Sequence, residues 1–176
     1  YTLTSGSRKT STATVNITVV APIYFVNSSV ATNGNGTLSS PFKTVDNVTG
    51  TGSNPIFIYT GTGSSGTTLT LSDNQKLIGQ GATASLTSIL GIAVPTYSNT
   101  LPSTGGANPS FSVLNLKLNN DVEGITLTGT TATMAGASVG TLKVRDVTIN
   151  GGTAVAVNIG AGTVLDCIFK SISANG

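Results

Sequence analysis

Apolar residues in this chain come in short alternating runs rather than at helical spacing. Between Ile56 and Gly81 (IFIYTGTGSSGTTLTLSDNQKLIGQG) lie runs at Ile56–Tyr59, Leu69–Leu71 and Leu77–Ile78. Gly-, Ser- and Thr-rich turns separate them, and Asp73-Asn74 supplies a sharper one. Leu69 and Leu71 alternate with Thr68 and Thr70, the period of two that marks a half-buried strand. No window here repeats apolar residues at three and four, so an amphipathic helix is excluded. Strands this short bury too little surface by themselves and must stack on copies of themselves or face a second sheet.

The clearest strand precedes this stretch: Ala13, Val15, Ile17 and Val19 alternate with Thr12, Thr14, Asn16 and Thr18. Ala21-Pro22 reads as a linker, because proline ends a strand ladder. Ile23–Val26 begins the next unit, followed by a loop with Asn33-Gly34 and Asn35-Gly36 at positions that tolerate positive φ. Lys43–Val48 has room for one or two turns of helix, placed to cover an otherwise open sheet edge. Gly91–Pro109, with Pro95, Pro102, Pro109 and Gly105-Gly106, is a loop thrown out between strands. Strand patterns resume at Phe111.

Those later strands repeat. Asp146–Ile149 aligns with Asp166–Phe169 at an offset of 20 residues, and Ile125–Leu127 aligns with Val147–Ile149 at 22. Leu116–Leu118 and Leu142–Val144 share a pattern at 26. An irregular period of this size, built from short strands and Gly/Asn turns, predicts a parallel β-solenoid. A sandwich would show longer strands and closer-spaced turns. The expected inward positions are Val147, Ile149, Cys167 and Phe169, with Thr148 and Lys170 pointing out.

Charge changes the picture by its scarcity. Charged residues are 8% of the chain, yet mean hydropathy is only +0.25, because Thr, Ser, Asn and Gly fill the surface positions. That composition suits an extracellular β structure. Net charge is +2, and the basic residues are scattered apart from Arg8-Lys9, so nucleic acid is not an expected partner. No apolar run reaches transmembrane length, so no membrane insertion is expected. The chain opens on Tyr1 and reads as cut from something longer. Its single cysteine, Cys167, lies between Leu165 and Ile168 like a small core residue, and no histidine is present to activate it.

Taken in order, YFVNSS, NGNGTLSSPFKTV, the stretch from Ile56 to Gly81, LPSTGGANPSF, VEGITLTG, GTLKVRDVTING and FKSISANG resemble the β-helix segment of large bacterial secreted surface proteins. These are the β-strand-repeat or pectin-lyase-like proteins. The resemblance covers about Ile23 to Gly176, and the strand before it is similar to the closing strand of a cadherin-like or immunoglobulin-like module. It implies an all-β chain. Residues 1–21 would end a β-sandwich module, and residues 22–55 would form a linker and N-terminal cap. Residues 56–176 would be coils of a right-handed parallel β-helix that continues past the last residue. It also implies a non-enzymatic structural or adhesive role at the bacterial cell surface. The expected partners are further domains of the same chain, a surface polysaccharide or neighbouring copies.

Pectin-lyase-like folds also include polysaccharide lyases and hydrolases, so a carbohydrate-active enzyme is the alternative. Such lyases need carboxylates for Ca²⁺ and an Arg or Lys base; hydrolases need two carboxylates at a workable separation. The chain has six acids: Asp46, Asp73, Asp121, Glu123, Asp146 and Asp166. Asp121, Glu123, Arg145 and Asp146 are the one group that neighbouring coils bring together, and they are the catalytic candidates if the chain is an enzyme. The same residues also fit a structural reading, with Asp121 and Asp146 bonded to backbone in turns or at strand edges and Glu123 paired with Arg145. Tyr97, in the Pro-rich loop, is the one aromatic positioned as a ligand contact. No cofactor is implied, and the composition offers no His/Cys metal site.

Overall fold

Apolar runs end after three or four residues because a glycine, an asparagine or a Ser/Thr turn interrupts each of them. Most of the strands they form are correspondingly short, while the last two run for 19 and 18 residues with breaks in register along them. The computed structural model describes residues 2–4, 10–12, 14, 21–94, 100–130, 133–151 and 155–174. Near the start, β1 (Thr2–Thr4) and β2 (Thr10–Thr12) pair antiparallel. Most of the alternating strand expected at residues 12–20 lies outside the described residues.

From Tyr24 onward the fold is all-β and rests on one parallel, strongly curled sheet. Its strands are β3 (Tyr24–Val26), β4 (Ile56–Ile58), β5 (Thr68–Thr70), β6 (Lys76–Gly79), β7 (Ser110–Phe111) and β8 (Val113–Asn115). They continue with β9 (Asp121–Glu123), β10 (Thr126–Gly129), β11 (Thr133–Gly151) and β12 (Val157–Ala174). Parallel pairing in register stacks equivalent residues into columns. One inward column runs Tyr24, Ile56, Leu77, Val122, Val144, Cys167. A second runs Phe111, Leu127, Ile149, with the exposed Ile172 next in register, and a third runs Leu69, Leu114, Met134, Val157. These columns converge on one core in which Ile56, Leu77, Val122, Val144, Phe111, Leu127 and Leu114 are fully buried.

The offset of 22 is the true spacing between β10 and β11, where Thr126 pairs with Thr148 and Leu127 with Ile149. The other two alignments are corrected. Val144, not Val147, stacks under Cys167, and Val147 stacks under Phe169. Asp146 is an extra corner residue at φ 54, which shifts the register by one. Lys143 and Val144 pair with Asp121 and Val122, so Leu116–Leu118 is not their equivalent. Val147 and Ile149 are inward as expected; Cys167 and Phe169 also pack toward the core but stay partly exposed.

Residues 43–48 contribute a 3-10 turn, Val45–Asn47, that buries Val45 against the core. The Asp46 carboxylate accepts from Thr67 N at 2.9 Å and Thr68 N at 2.8 Å. It thereby satisfies backbone donors at the start of β5, whose one strand partner is β8, so the segment does cover a sheet edge. The thrown-out loop begins earlier than expected, after Gly79, and carries a short helix, α1 (Leu86–Leu90). Ser85 caps its start by accepting from Ser88 N, and Gly91 at φ 67 ends it. Leu86, Ile89 and Ala82 cover an outward column of Phe25, Phe57 and Ile78, forming a second small core. This explains why β4 is apolar at every position: both of its faces are covered. No helix among the described residues is long and apolar enough to cross a membrane.

Candidate functional site

Below the patch covered by α1, the outward columns change from apolar to charged. The column that begins at Lys76 continues through Asp121, Lys143 and Asp166. Its neighbour runs Phe25, Phe57, Ile78, Glu123, Arg145, Ile168. Parallel strands lie about 4.8 Å apart, so the first column places opposite charges in direct succession. Asp121 sits between Lys76 at 3.8 Å and Lys143 at 3.6 Å. Lys143 Nζ also donates to Glu123, and Arg145 pairs with Asp166 through both its side chain and its carbonyl. Lys76 Nζ reaches the Ile89 carbonyl and ties the column to the end of α1.

Of the four catalytic candidates, the fold brings three onto one face: Asp121, Glu123 and Arg145. Glu123 and Arg145 are in register but not partners. Glu123, only 3% exposed, takes Lys143 instead, and Arg145 takes Asp166. Asp146 is elsewhere. Its carboxylate accepts from Thr83 N at 2.8 Å, and its carbonyl accepts from Asn108 Nδ2, which also serves the Ile125 carbonyl. It therefore clamps the 80–109 excursion to a corner of the sheet. Gly124 helps at the same corner: its φ is 70, and a Cβ there would run into the Ala82 backbone. Tyr97 lies outside the described residues.

The chemistry available to this face is narrow. A general acid must reach a leaving-group oxygen, whereas Glu123 is buried and bonded to Lys143. A lyase base must shed its proton at the working pH. The bond to Glu123 and the nearby Asp121 charge instead hold the Lys143 ammonium above its ordinary value, against a smaller opposing effect of burial. Arg145 is likewise pushed up, chiefly by its bond to Asp166. Burial, with a contribution from Asp166, raises the Cys167 thiol, so it stays protonated and weakly nucleophilic at neutral pH. One atom has no bond: Asp121 Oδ1 is buried without a hydrogen-bond partner among the described residues. No group of three or more His, Cys, Asp or Glu among those residues is arranged to hold a metal.

Sequence reasoning passed over Lys76, Lys143 and Asp166, and with them a ladder of amides beside the charged column. Asn74 and Asn119 both adopt left-handed φ, near 60 and 57, and are bonded to each other through their side chains. Asn120 is 1% exposed; it donates to the Ser72 and Gln75 carbonyls and accepts from Lys117 N. Gln75 donates to Thr51 and to the Asn54 carbonyl on the next strand level. The signal was present in the likeness of LSDNQKLIG (71–79) to LKLNNDVEG (116–124). It stands at a spacing of 45 because the excursion intervenes.

No family model, no curated protein and no solved structure matches this chain.

Proposed function

We propose that this chain is a length of right-handed parallel β-helix and serves as a stiff structural and adhesive element of a large secreted bacterial surface protein. The observation that supports this reading over an enzyme is the engagement of the carboxylates. All six acids of the sequence join one part of the stack to another. Asp46 caps β5, Asp73 accepts from Leu118 N, and Asp146 clamps the excursion. Asp121, Glu123 and Asp166 neutralise Lys76, Lys143 and Arg145 along one column. An active site needs a carboxylate or base free to bind a cation or move a proton, and here the acids resist shear between strands instead. The parallel register at an offset of 22 supports the helix, and a Ser/Thr/Asn surface with few charges supports an extracellular setting.

The second reading, a carbohydrate-active enzyme, draws on the unbonded Asp121 Oδ1. One experiment separates the two. The chain is incubated with acidic and neutral polysaccharides, with and without Ca²⁺, while new reducing ends and unsaturated products are followed. In parallel, beads coated with the chain are tested for attachment to the same polysaccharides. Attachment without turnover is the expected result. Turnover that is lost in Asp121→Asn or Arg145→Ala would overturn the structural reading.

A further inference from the structure

The two ends of the 80–109 excursion are fastened to each other as well as to the sheet. Gly105 N donates to the Ala82 carbonyl at 2.8 Å, and Gly106 N donates to the Gln80 carbonyl at 3.0 Å. Gly81 lies so close to Asn108 that a Cβ there would strike its side-chain oxygen. Both ends then meet one residue of a later coil. Asp146 accepts from Thr83 N on its carboxylate and from Asn108 Nδ2 on its carbonyl. Asp146 is level with Gly124 at the corner, and both hold left-handed φ, 54 and 70. That conformation is strained for a residue with a side chain, and the bonds to the excursion offset the strain.

Between those ends, side chains hold α1 in place. Leu86 and Ile89, with Ala82, pack on Phe25, Phe57 and Ile78 in a core separate from the one inside the coils, and Lys76 Nζ bonds the Ile89 carbonyl. Beneath this cover β3, β4 and β6 are joined by their own ladder, and Ile56 and Leu77 are anchored in the main core. Lifting the excursion therefore breaks no strand pairing. A segment with closed ends and a small apolar footprint opens at a lower free energy than the whole chain unfolds. We infer that the excursion opens from the sheet as one unit and that Asp146 is the latch that holds it shut.

Opening bares Phe25, Phe57 and Ile78, an apolar ledge in register with the charged residues Glu123 and Arg145. The device stands apart from the surface-protein reading, because an enzyme with this excursion would be latched in the same way.

The test uses the whole chain. In a Cys167→Ala background, Ile78→Cys puts a thiol under the excursion and Val122→Cys puts one in the main core; both parent side chains are fully buried. An aromatic disulfide reagent should label position 78 at least about tenfold faster than position 122 under native conditions. Asp146→Gly keeps the left-handed corner and removes the carboxylate. It should speed labelling at position 78 about tenfold, the loss of a charge-assisted hydrogen bond, and leave position 122 unchanged. Asp146→Asn, which tolerates the corner and retains an acceptor, should stay close to wild type. In the unmodified chain, hydrogen exchange of the Thr83 amide should depend less steeply on urea than that of the Tyr59 and Leu71 amides, which bond across strands to Val26 and Asn115. Equal labelling at the two positions, or equal urea dependence of the three amides, overturns the separate opening. Labelling at position 78 that ignores Asp146→Gly, or a rise at both positions alike, overturns the latch.

Discussion

Lys143 and Glu123 form a pair whose two ends sit in different media, and that makes the cost of breaking it depend on which end is removed. Glu123 is 3% exposed, while the Lys143 side chain is 40% exposed. In Glu123→Gln, Lys143 keeps an amide acceptor, stays near Asp121 and can turn its ammonium to water. A pair this open on one side is worth about 0.5–1 kcal/mol. In Lys143→Met the carboxylate is left buried without its donor. Removing one partner of a fully buried pair costs about 3–5 kcal/mol, and water entering where the lysine stood reduces this to roughly 2–3. Urea unfolding followed by circular dichroism resolves the difference. With a slope of about 2 kcal/mol/M, Lys143→Met should lower the midpoint by about 1–1.5 M and Glu123→Gln by less than about 0.5 M. The sign with pH follows from the raised Lys143. Its contribution is complete below the ordinary lysine value of 10.5 and is lost as pH climbs through the higher folded value. The wild-type chain should therefore show an alkaline loss of stability that Lys143→Met lacks. Equal midpoint shifts for the two variants, or a larger one for Glu123→Gln, would refute the reasoning.

Three further outcomes follow from the same contacts. Asn120→Leu fills the space but strands Lys117 N and takes one of two donors from each of the Ser72 and Gln75 carbonyls; it should cost about 1–3 kcal/mol in the same unfolding assay. Asp46→Ala uncovers the Thr67 and Thr68 amides. Their hydrogen exchange should accelerate while that of Phe57 and Leu77 amides is unchanged, with a stability loss of about 1–2 kcal/mol. Phe169→Ala should cost less than the 3–5 kcal/mol of a fully buried phenylalanine, about 1–2 kcal/mol, because the ring packs on the core but stays partly exposed. A full-sized loss there would refute the partial exposure of Phe169.

The sequence by itself determined the local rules of this fold. Thr68-Leu69-Thr70 announces one buried and two exposed positions, and that is how β5 lies. Val147, Thr148 and Ile149 likewise take the sides their alternation assigns, because a strand has only two faces and one of them meets the core. The repeat at Ile125–Leu127 was readable for the same reason. The count of six acids and the absence of histidine already narrowed the chemistry. What the tertiary structure alone decided was which residues become neighbours across strands. A corner can absorb one extra residue in left-handed conformation, as Asp146 does, and nothing in the local pattern distinguishes that from a residue within a strand. The excursion from Gln80 to Pro109 hid the match between Lys76 and Asp121. It also supplied the helix that lets Phe57 and Ile78 face outward, where alternation alone predicts a polar residue. Charge partners were the least legible of all. Glu123 lies level with Arg145 yet bonds Lys143, because an ion pair is set by side-chain reach and burial, and only the stacked register places those three ends within reach of one another.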